Sequence, residues 1–365
     1  MAMKLINICG ARPNFMKIAP LMQAYQAHAG ITPLLVHTGQ HYDQRMSQLF
    51  FDELEIPRPD NQLELGSGPH AQQTGLIMQR FEPAVAEDKP DAVLVVGDVN
   101  STIACAMVAA KMGVEVYHVE AGLRSFDRTM PEEINRVLTD SISDLLFVSE
   151  PSGAENLHKE GIAKDRVHLV GNVMIDTLEK NRAKADSSKV LDELGVASRG
   201  YAVVTMHRPA AVDNPEVMGE LADVFAEIQK NLTVIFPIHP RTRNRLAESG
   251  LRDRFESMAN LKLIEPVGYL DFLKLMSEAA IVLTDSGGIQ EETTILGVPC
   301  LTLRENTERP ATIDQGSNQL VGLDPQRILT GYNAVRSGAF KPKGRPDQWD
   351  GKAAERIAAI IAKRA

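Results

Sequence analysis

Short runs of Val, Ile and Leu recur along this chain, each closed by a glycine or a polar residue and followed by a helical pattern. That alternation constrains the fold more than any other feature. Strands alternating with helices build a parallel, doubly wound α/β sheet covered on both faces. The runs fall at 4–9, 32–38, 92–96, 114–119, 145–149 and 167–170. A helical stretch at 175–185 and a polar segment at 186–200 follow. The alternation then restarts at 201–205, 234–238, 261–264, 279–283 and 300–303. A chain of 365 residues has room for about two domains. The break is expected near 171–175, giving one Rossmann-like domain over 1–173 and a second over 174–350. The tail, 351–365, reads as an Ala- and Ile-rich helix that needs a surface, which the first domain can supply.

The most informative turn is Thr284-Asp285-Ser286-Gly287-Gly288-Ile289-Gln290-Glu291-Glu292. An apolar strand leads into it and a helical pattern leaves it, stopped at Gly297 with Pro299 beyond. Ser-Gly-Gly lets backbone N–H groups approach an anion closely, because no Cβ intervenes. The helix N-terminus adds its dipole, so a phosphate or diphosphate suits the site. Glu291 and Glu292 would repel that anion unless one reaches past it to sugar hydroxyls; alternatively they only complement the helix dipole.

The net charge of −9 argues against a general nucleic-acid or anionic-membrane surface. An anion must therefore meet a local basic cluster. Cys9, Cys105 and Cys300 are far apart, lie in apolar surroundings and form no C-x-x-C pair, so buried reduced thiols are expected rather than disulfides or zinc ligands. No apolar run approaches transmembrane length and no signal pattern opens the chain, so a cytoplasmic protein is expected.

Polar groups gather at the strand ends: Arg12, Gln40 and His41, Asp98, Glu120, His207 and Arg208, His239 and Arg241, and Ser286 to Gly288. In an open α/β sheet that edge is where ligands bind, and two such edges facing each other would form an interdomain cleft. Arg12 and Lys17 straddle the first strand-to-helix turn and can reach one phosphate together; Lys17 equally fits a solvated helix face. Asp98, Glu120 and the pair Glu132 and Glu133 suit general acid/base work, since crowded carboxylates have separated pKa values. Asp98 also fits a helix N-cap, Glu132 and Glu133 fit plain first-turn charge, and His207 fits a satisfied core histidine.

Taken together the pieces resemble the non-hydrolysing UDP-N-acetylglucosamine 2-epimerases. They are Gly10-Ala11-Arg12-Pro13, Gly97-Asp98, His118-Val119-Glu120-Ala121-Gly122-Leu123-Arg124, Pro131-Glu132-Glu133, Gly171-Asn172, His207-Arg208, the 284–292 stretch and Thr307-Glu308-Arg309-Pro310. The resemblance implies two Rossmann-like domains arranged as in GT-B glycosyltransferases, with UDP in the cleft and a homodimer acting in polysaccharide biosynthesis. It implies that Arg12 and Lys17 lie near the phosphates, that Ser286, Gly287 and Gly288 hold the diphosphate, and that Glu292 takes the ribose hydroxyls. Phe272 would lie by the uracil, with His207 and Arg309 completing the site. Asp98, Glu120 and Glu132 match the catalytic carboxylates, and His207 joins them. The implied chemistry eliminates UDP as the C2 proton leaves, giving 2-acetamidoglucal, and then adds UDP back with the proton returned to the opposite face. No cofactor or metal is implied, and no Gly-x-Gly-x-x-Gly follows the first strand.

Two positions depart from the pattern. The family commonly has Glu-Asn soon after His-Arg, where the Glu helps hold a second, activating UDP-N-acetylglucosamine with a Gln matching Gln40; here Pro209-Ala210-Ala211 follows. Val267 stands where a Gln lies near the uracil. Two other activities share the architecture. A UDP-2,3-diacetamido-2,3-dideoxy-glucuronate 2-epimerase shares much of 123–133, and a GT-B glycosyltransferase shares the fold but has no C2 proton to move.

Overall fold

The structure, a computed structural model, describes residues 2–39, 44–66 and 68–365. It divides into two compact units, 1–180 with 347–365, and 181–346, and the division falls within one helix.

The first unit holds the strands β1 (Met3–Cys9), β2 (Ile31–His37), β3 (Asn61–Gln62), β4 (Ala92–Val96), β5 (Glu115–Ala121), β6 (Leu145–Val148) and β7 (Val167–Leu169). They form a parallel sheet in the order β3-β2-β1-β4-β5-β6-β7. Its helices are α1 (Arg12–Ala24), α2 (Gln44–Glu53), α3 (His70–Asp88), α4 (Asn100–Lys111), α5 (Pro131–Ile142), α6 (Pro151–Lys159) and α7 (Val173–Ala185), the last of which carries the division. β4 is buried along its whole length, which is why its sequence is an unbroken apolar run rather than an alternation. One core lies under α3 and α4, where Ile6, Ile8, Val93 and Val95 meet Ile77, Phe81, Ala104 and Val108. Cys9 and Cys105 are buried and free, as is Cys300 in the second unit.

The second unit repeats the plan with β8 (Tyr201–Thr205), β9 (Thr233–Pro237), β10 (Leu261–Ile264), β11 (Ile281–Thr284), β12 (Cys300–Thr302) and β13 (Asn318–Leu320), in the parallel order β10-β9-β8-β11-β12-β13. Its helices are α8 (Val190–Leu194), α9 (Pro209–Val212), α10 (Pro215–Ile228), α11 (Pro240–Glu248), α12 (Arg252–Glu256), α13 (Tyr269–Ser277), α14 (Gly287–Leu296), α15 (Pro310–Asp314) and α16 (Pro325–Arg336). α8 forms within the polar segment at 186–200, with Val190 buried. The chain then returns to the first unit. α17 (Ala353–Ala362) packs on α1, burying Ile357, Ala358 and Ile361, as the composition of the tail requires. No helix among the described residues is long and apolar enough to cross a membrane.

In each sheet the strand order reverses once, between β1 and β4 and between β8 and β11. A crevice opens at the carboxyl ends of the strands at such a switch point, because successive helices leave to opposite faces. The candidate residues collect at these two places.

Candidate active site

In the first unit the switch point is tied together by Asn14. Its Oδ1 accepts the N–H groups of Gly10 and Ala11 (3.2 and 3.1 Å), and its Nδ2 donates to the Val96 carbonyl (3.1 Å). The start of α1 is thereby pinned to the end of β4. Gly97 follows with φ +67°, and a Cβ there would sit 2.9 Å from Lys17 Nζ, so only glycine fits. Lys17 is not on a solvated helix face: it is buried and its ammonium pairs with the Glu120 carboxylate. Glu120 is the irregular residue of β5, where the register with β6 shifts between Val119 and Ala121, and its φ is +72°. A bulge re-aims a side chain that a regular strand would point into the sheet face. Here it turns a carboxylate onto Lys17.

Asp98 ends β4 next to Gly97, beside the end of β5 in the sheet. It does not cap α4. Val99 occupies the N-cap with no side-chain cap bond, because the Asp98 carboxylate is engaged by Arg136 Nη1 at 2.6 Å. Glu132 and Glu133 lie in the first turn of α5, and the structure gives them different surroundings. Glu133 is buried and accepts from Ser125 N (2.9 Å), Ser125 Oγ (3.0 Å), Phe126 N (3.0 Å) and Arg136 Nη2 (2.9 Å). Burial would raise its carboxyl, but the Ser125 N–H and the Arg136 guanidinium outweigh burial and hold it below the usual range. Glu132 is half-buried, with no hydrogen-bond or ion-pair partner among the described residues. Arg12 opens α1, but its side chain lies outside the described residues, as do Gln40 and His41.

Behind these groups runs a charged network that the sequence reading did not single out residue by residue. His118 sits on β5 with Nδ1 2.6 Å from Asp140 Oδ1 and Nε2 2.8 Å from the Gly97 carbonyl. Asp140 also accepts from Gly122 N at 3.0 Å and pairs with Arg124 at 2.7 Å. Burial opposes the charge on Asp140, yet the adjacent imidazole and guanidinium hold it below the ordinary carboxylate range. The network grips Gly97 and Gly122, the glycines flanking Asp98 and Glu120. The available sequence signal was an ionisable residue, His118, in a strand whose neighbours are apolar.

In the second unit, Ser286 is the N-cap of α14 with no side-chain cap bond, and Gly287 and Gly288 form its first turn. No acidic residue occupies that turn, so unpaired N–H groups and the positive end of the dipole are presented together. The Arg309 guanidinium lies directly against the turn: a Cβ on Gly287 would meet Arg309 Cζ at 2.9 Å. Arg309 is held by Glu291 (Nε, 2.7 Å) and by Glu308, which also binds Arg304 at 2.8 Å. Glu291 therefore serves Arg309 and is not a surface charge. Glu292 is buried with Tyr269 OH donating at 3.3 Å. Burial, with the neighbouring Glu291 charge adding to it, pushes the Glu292 carboxyl up to about 8 against the pull of the Tyr269 bond. Phe272 is half-buried on the same helix as Tyr269.

His207 is no core histidine: its side chain is 45% exposed. Its Nδ1 lies 2.9 Å from Asp285 Oδ1, while Asp285 Oδ2 accepts the N–H groups of His207 and Arg208 (2.8 and 2.7 Å). Asp285, at the end of β11, thus fixes the loop at the end of β8; the sequence reading quoted this residue but gave it no task. Ala210 lies exposed in α9, where the Ala211 and Val212 N–H groups are used by the Arg208 carbonyl.

A family profile described as UDP-N-acetylglucosamine 2-epimerase matches residues 23–362. A UDP-N-acetylglucosamine 2-epimerase of Methanococcus maripaludis is 45% identical over 89% of this chain and 90% of its own length. A UDP-2,3-diacetamido-2,3-dideoxy-D-glucuronate 2-epimerase of Pseudomonas aeruginosa is 38% identical over 99% of this chain and 100% of its own. The crystal structure of the Methanocaldococcus jannaschii UDP-GlcNAc 2-epimerase in complex with UDP-GlcNAc and UDP superposes with a TM-score of 0.92, at 42% identity, covering 99% of this chain and 100% of that one.

Proposed function

The chain belongs to the UDP-N-acetylglucosamine 2-epimerase family, and on that premise we propose how its own residues interconvert UDP-N-acetylglucosamine and UDP-N-acetylmannosamine. A carboxylate takes the C2 proton, the C2–H electron pair becomes the C1=C2 double bond, and the C1–O pair leaves on UDP. Addition of UDP to the resulting 2-acetamidoglucal reverses these steps, with the proton delivered to the other face of C2. Asp98, Glu120 and Glu132 are assigned to the proton transfers, with His207 assisting.

The observation that carries the assignment is the pairing pattern of the carboxylates. Asp98 and Glu120 end adjacent parallel strands and each faces a cation, Arg136 or Lys17, whereas Glu132 is partnered by none among the described residues. Groups in such different surroundings can divide acid and base work between them. The α14 turn at Ser286, Gly287 and Gly288, with Arg309 against it, is assigned to the diphosphate, since N–H groups, helix dipole and guanidinium all favour an anion there. Glu292 is assigned to the ribose hydroxyls and Phe272 to the uracil. Arg12 and Lys17 are assigned to the phosphate side of the sugar. We further propose a homodimer in the cytoplasm. Exposed Phe126, Ile134 and Leu138, the last two one turn apart on α5, support an apolar contact, and three buried free thiols suit a reducing compartment.

The test is incubation with UDP-N-acetylglucosamine in deuterated water, followed by NMR at C2. Deuterium should enter C2 of recovered substrate and of UDP-N-acetylmannosamine with no added metal or nicotinamide. Unlabelled substrate, under conditions where the diacetamido-uronate is turned over, would transfer the activity to that substrate.

A further inference from the structure

Arg136 is 98% buried, and its guanidinium spans two carboxylates. Nη1 lies 2.6 Å from Asp98 Oδ2, and Nη2 and Nε lie 2.9 and 3.2 Å from Glu133 Oε2. The Glu133 carboxylate and the Asp98 backbone are each anchored as well. Glu133 is fixed by the Ser125 and Phe126 backbone and by the Ser125 hydroxyl. The Asp98 backbone carbonyl accepts from Asn135 Nδ2 at 2.8 Å. Residues 135 and 136 of α5 therefore grip Asp98 from two sides, and the same helix carries Glu132 in its first turn.

A buried charge is expensive unless paired and hydrogen-bonded. The two carboxylates supply that pairing, Glu133 to Nε and Nη2 and Asp98 to Nη1. Asp98 keeps part of its side chain accessible (22%) while one oxygen is clamped. Two guanidinium N–H groups on one Glu133 oxygen set the plane of Arg136, and the rigid plane then fixes the direction from which Nη1 meets Asp98 Oδ2, which a point charge on a flexible stem cannot do.

We propose that Arg136 is a positioning residue for the epimerisation: through the Glu133–Arg136–Asp98 bridge it holds the Asp98 carboxylate in one orientation, and sets it against the helix that carries Glu132. The inference rests on the assignment of Asp98 to proton transfer. It makes Asp98 the pre-aimed group and leaves Glu132, with no cation of its own among the described residues, unconstrained by the bridge. No part of the bridge lies in the second unit, so the diphosphate turn should not sense it.

The experiment is a double-mutant cycle of Arg136→Gln and Asp98→Asn, with kcat, UDP affinity by calorimetry and melting temperature measured for each variant. Arg136→Gln alone is expected to lower kcat by about 10²-fold while the Kd for UDP stays within twofold. In the Asp98→Asn background the same change should cost less than about threefold, because a residue acting through Asp98 has nothing left to position. Arg136→Lys keeps the cation but not the fork, so it should give an intermediate kcat with a melting temperature near that of the unmodified protein. This variant carries the test should the Gln variant fail to fold. Equal losses in both backgrounds, or unmodified kcat in the Lys variant, would overturn the proposal. If Asp98→Asn itself keeps full turnover, the assignment of Asp98 fails instead, and the two failures are distinguishable.

Discussion

Glu120 and Glu292 show how much a single carboxylate depends on its surroundings. At Glu120 the backbone adopts φ +72°, a region L-residues rarely occupy, at a cost on the order of 1–3 kcal/mol. That strain turns the carboxylate onto Lys17. Glu292 is instead unstrained and buried, with its carboxyl pushed up to about 8. Between the ordinary carboxyl range and pH 8 the folded protein keeps a proton that the unfolded chain has lost. The stability this proton contributes is complete at acid pH and disappears as pH rises through 8. Glu292→Gln cannot titrate, so its melting temperature relative to the unmodified protein should climb from pH 5 to about 8 and then level off. A constant difference across thermal melts from pH 5 to 9 would show that burial is not what governs this group.

α14 behaves unlike an ordinary surface helix, because every residue from Ile289 to Leu296 is buried although five of the eight are polar. The polar ones are satisfied locally: Gln290 Oε1 accepts from Thr307 and Asn318, and the Thr293 and Thr294 hydroxyls return to the carbonyls of Ile289 and Gln290. A helix held this firmly presents its N-terminus rigidly, which suits anion binding. Gly287→Ala tests the fit of that terminus. The added Cβ would lie 2.9 Å from both Arg309 Cζ and Glu308 Oε1, forcing the guanidinium off the turn. Losing one charged hydrogen bond weakens binding by roughly tenfold or more, so UDP titration calorimetry should give a Kd raised by about that factor, with turnover at saturation within a few-fold. An unchanged Kd would remove Arg309 from the diphosphate site.

At the scale of the whole chain, the tail completes the first unit after the second has been traversed. Trp349, the one tryptophan of the sequence, is fully buried with Nε1 donating to the Ser149 carbonyl at 2.8 Å. The Asp176 carboxylate receives the N–H groups of Ala353 and Ala354 (3.2 and 2.8 Å), holding the start of α17 against α7. Trp349→Ala should therefore destabilise the protein by about 3–5 kcal/mol, the usual cost of an emptied aromatic site. Urea unfolding followed by circular dichroism measures this directly. A loss under about 1 kcal/mol would mean that the tail merely rests on the first unit.

What the sequence determined by itself was the alternation of elements and the chemistry at strand ends. A strand buried on both faces must be an unbroken apolar run, as 92–96 is, and all parallel strands end at one edge, so Asp98, Glu120 and Ser286 to Gly288 could be placed there in advance. The family was legible as a resemblance, through the motifs that carry those same groups. Tertiary structure alone decided the partners. Asp98 meets Arg136 across 38 positions, Asp285 meets His207 across 78, and Tyr269 meets Glu292 across 23. It decided that Glu133 turns inward while Glu132 has no partner among the described residues, although the two are chemically identical neighbours. It also placed Lys17 on Glu120 rather than in solvent. Periodicity reports which face of an element is buried, but a charge pair depends on two side chains brought together by elements distant in the chain, and only the folded packing fixes that.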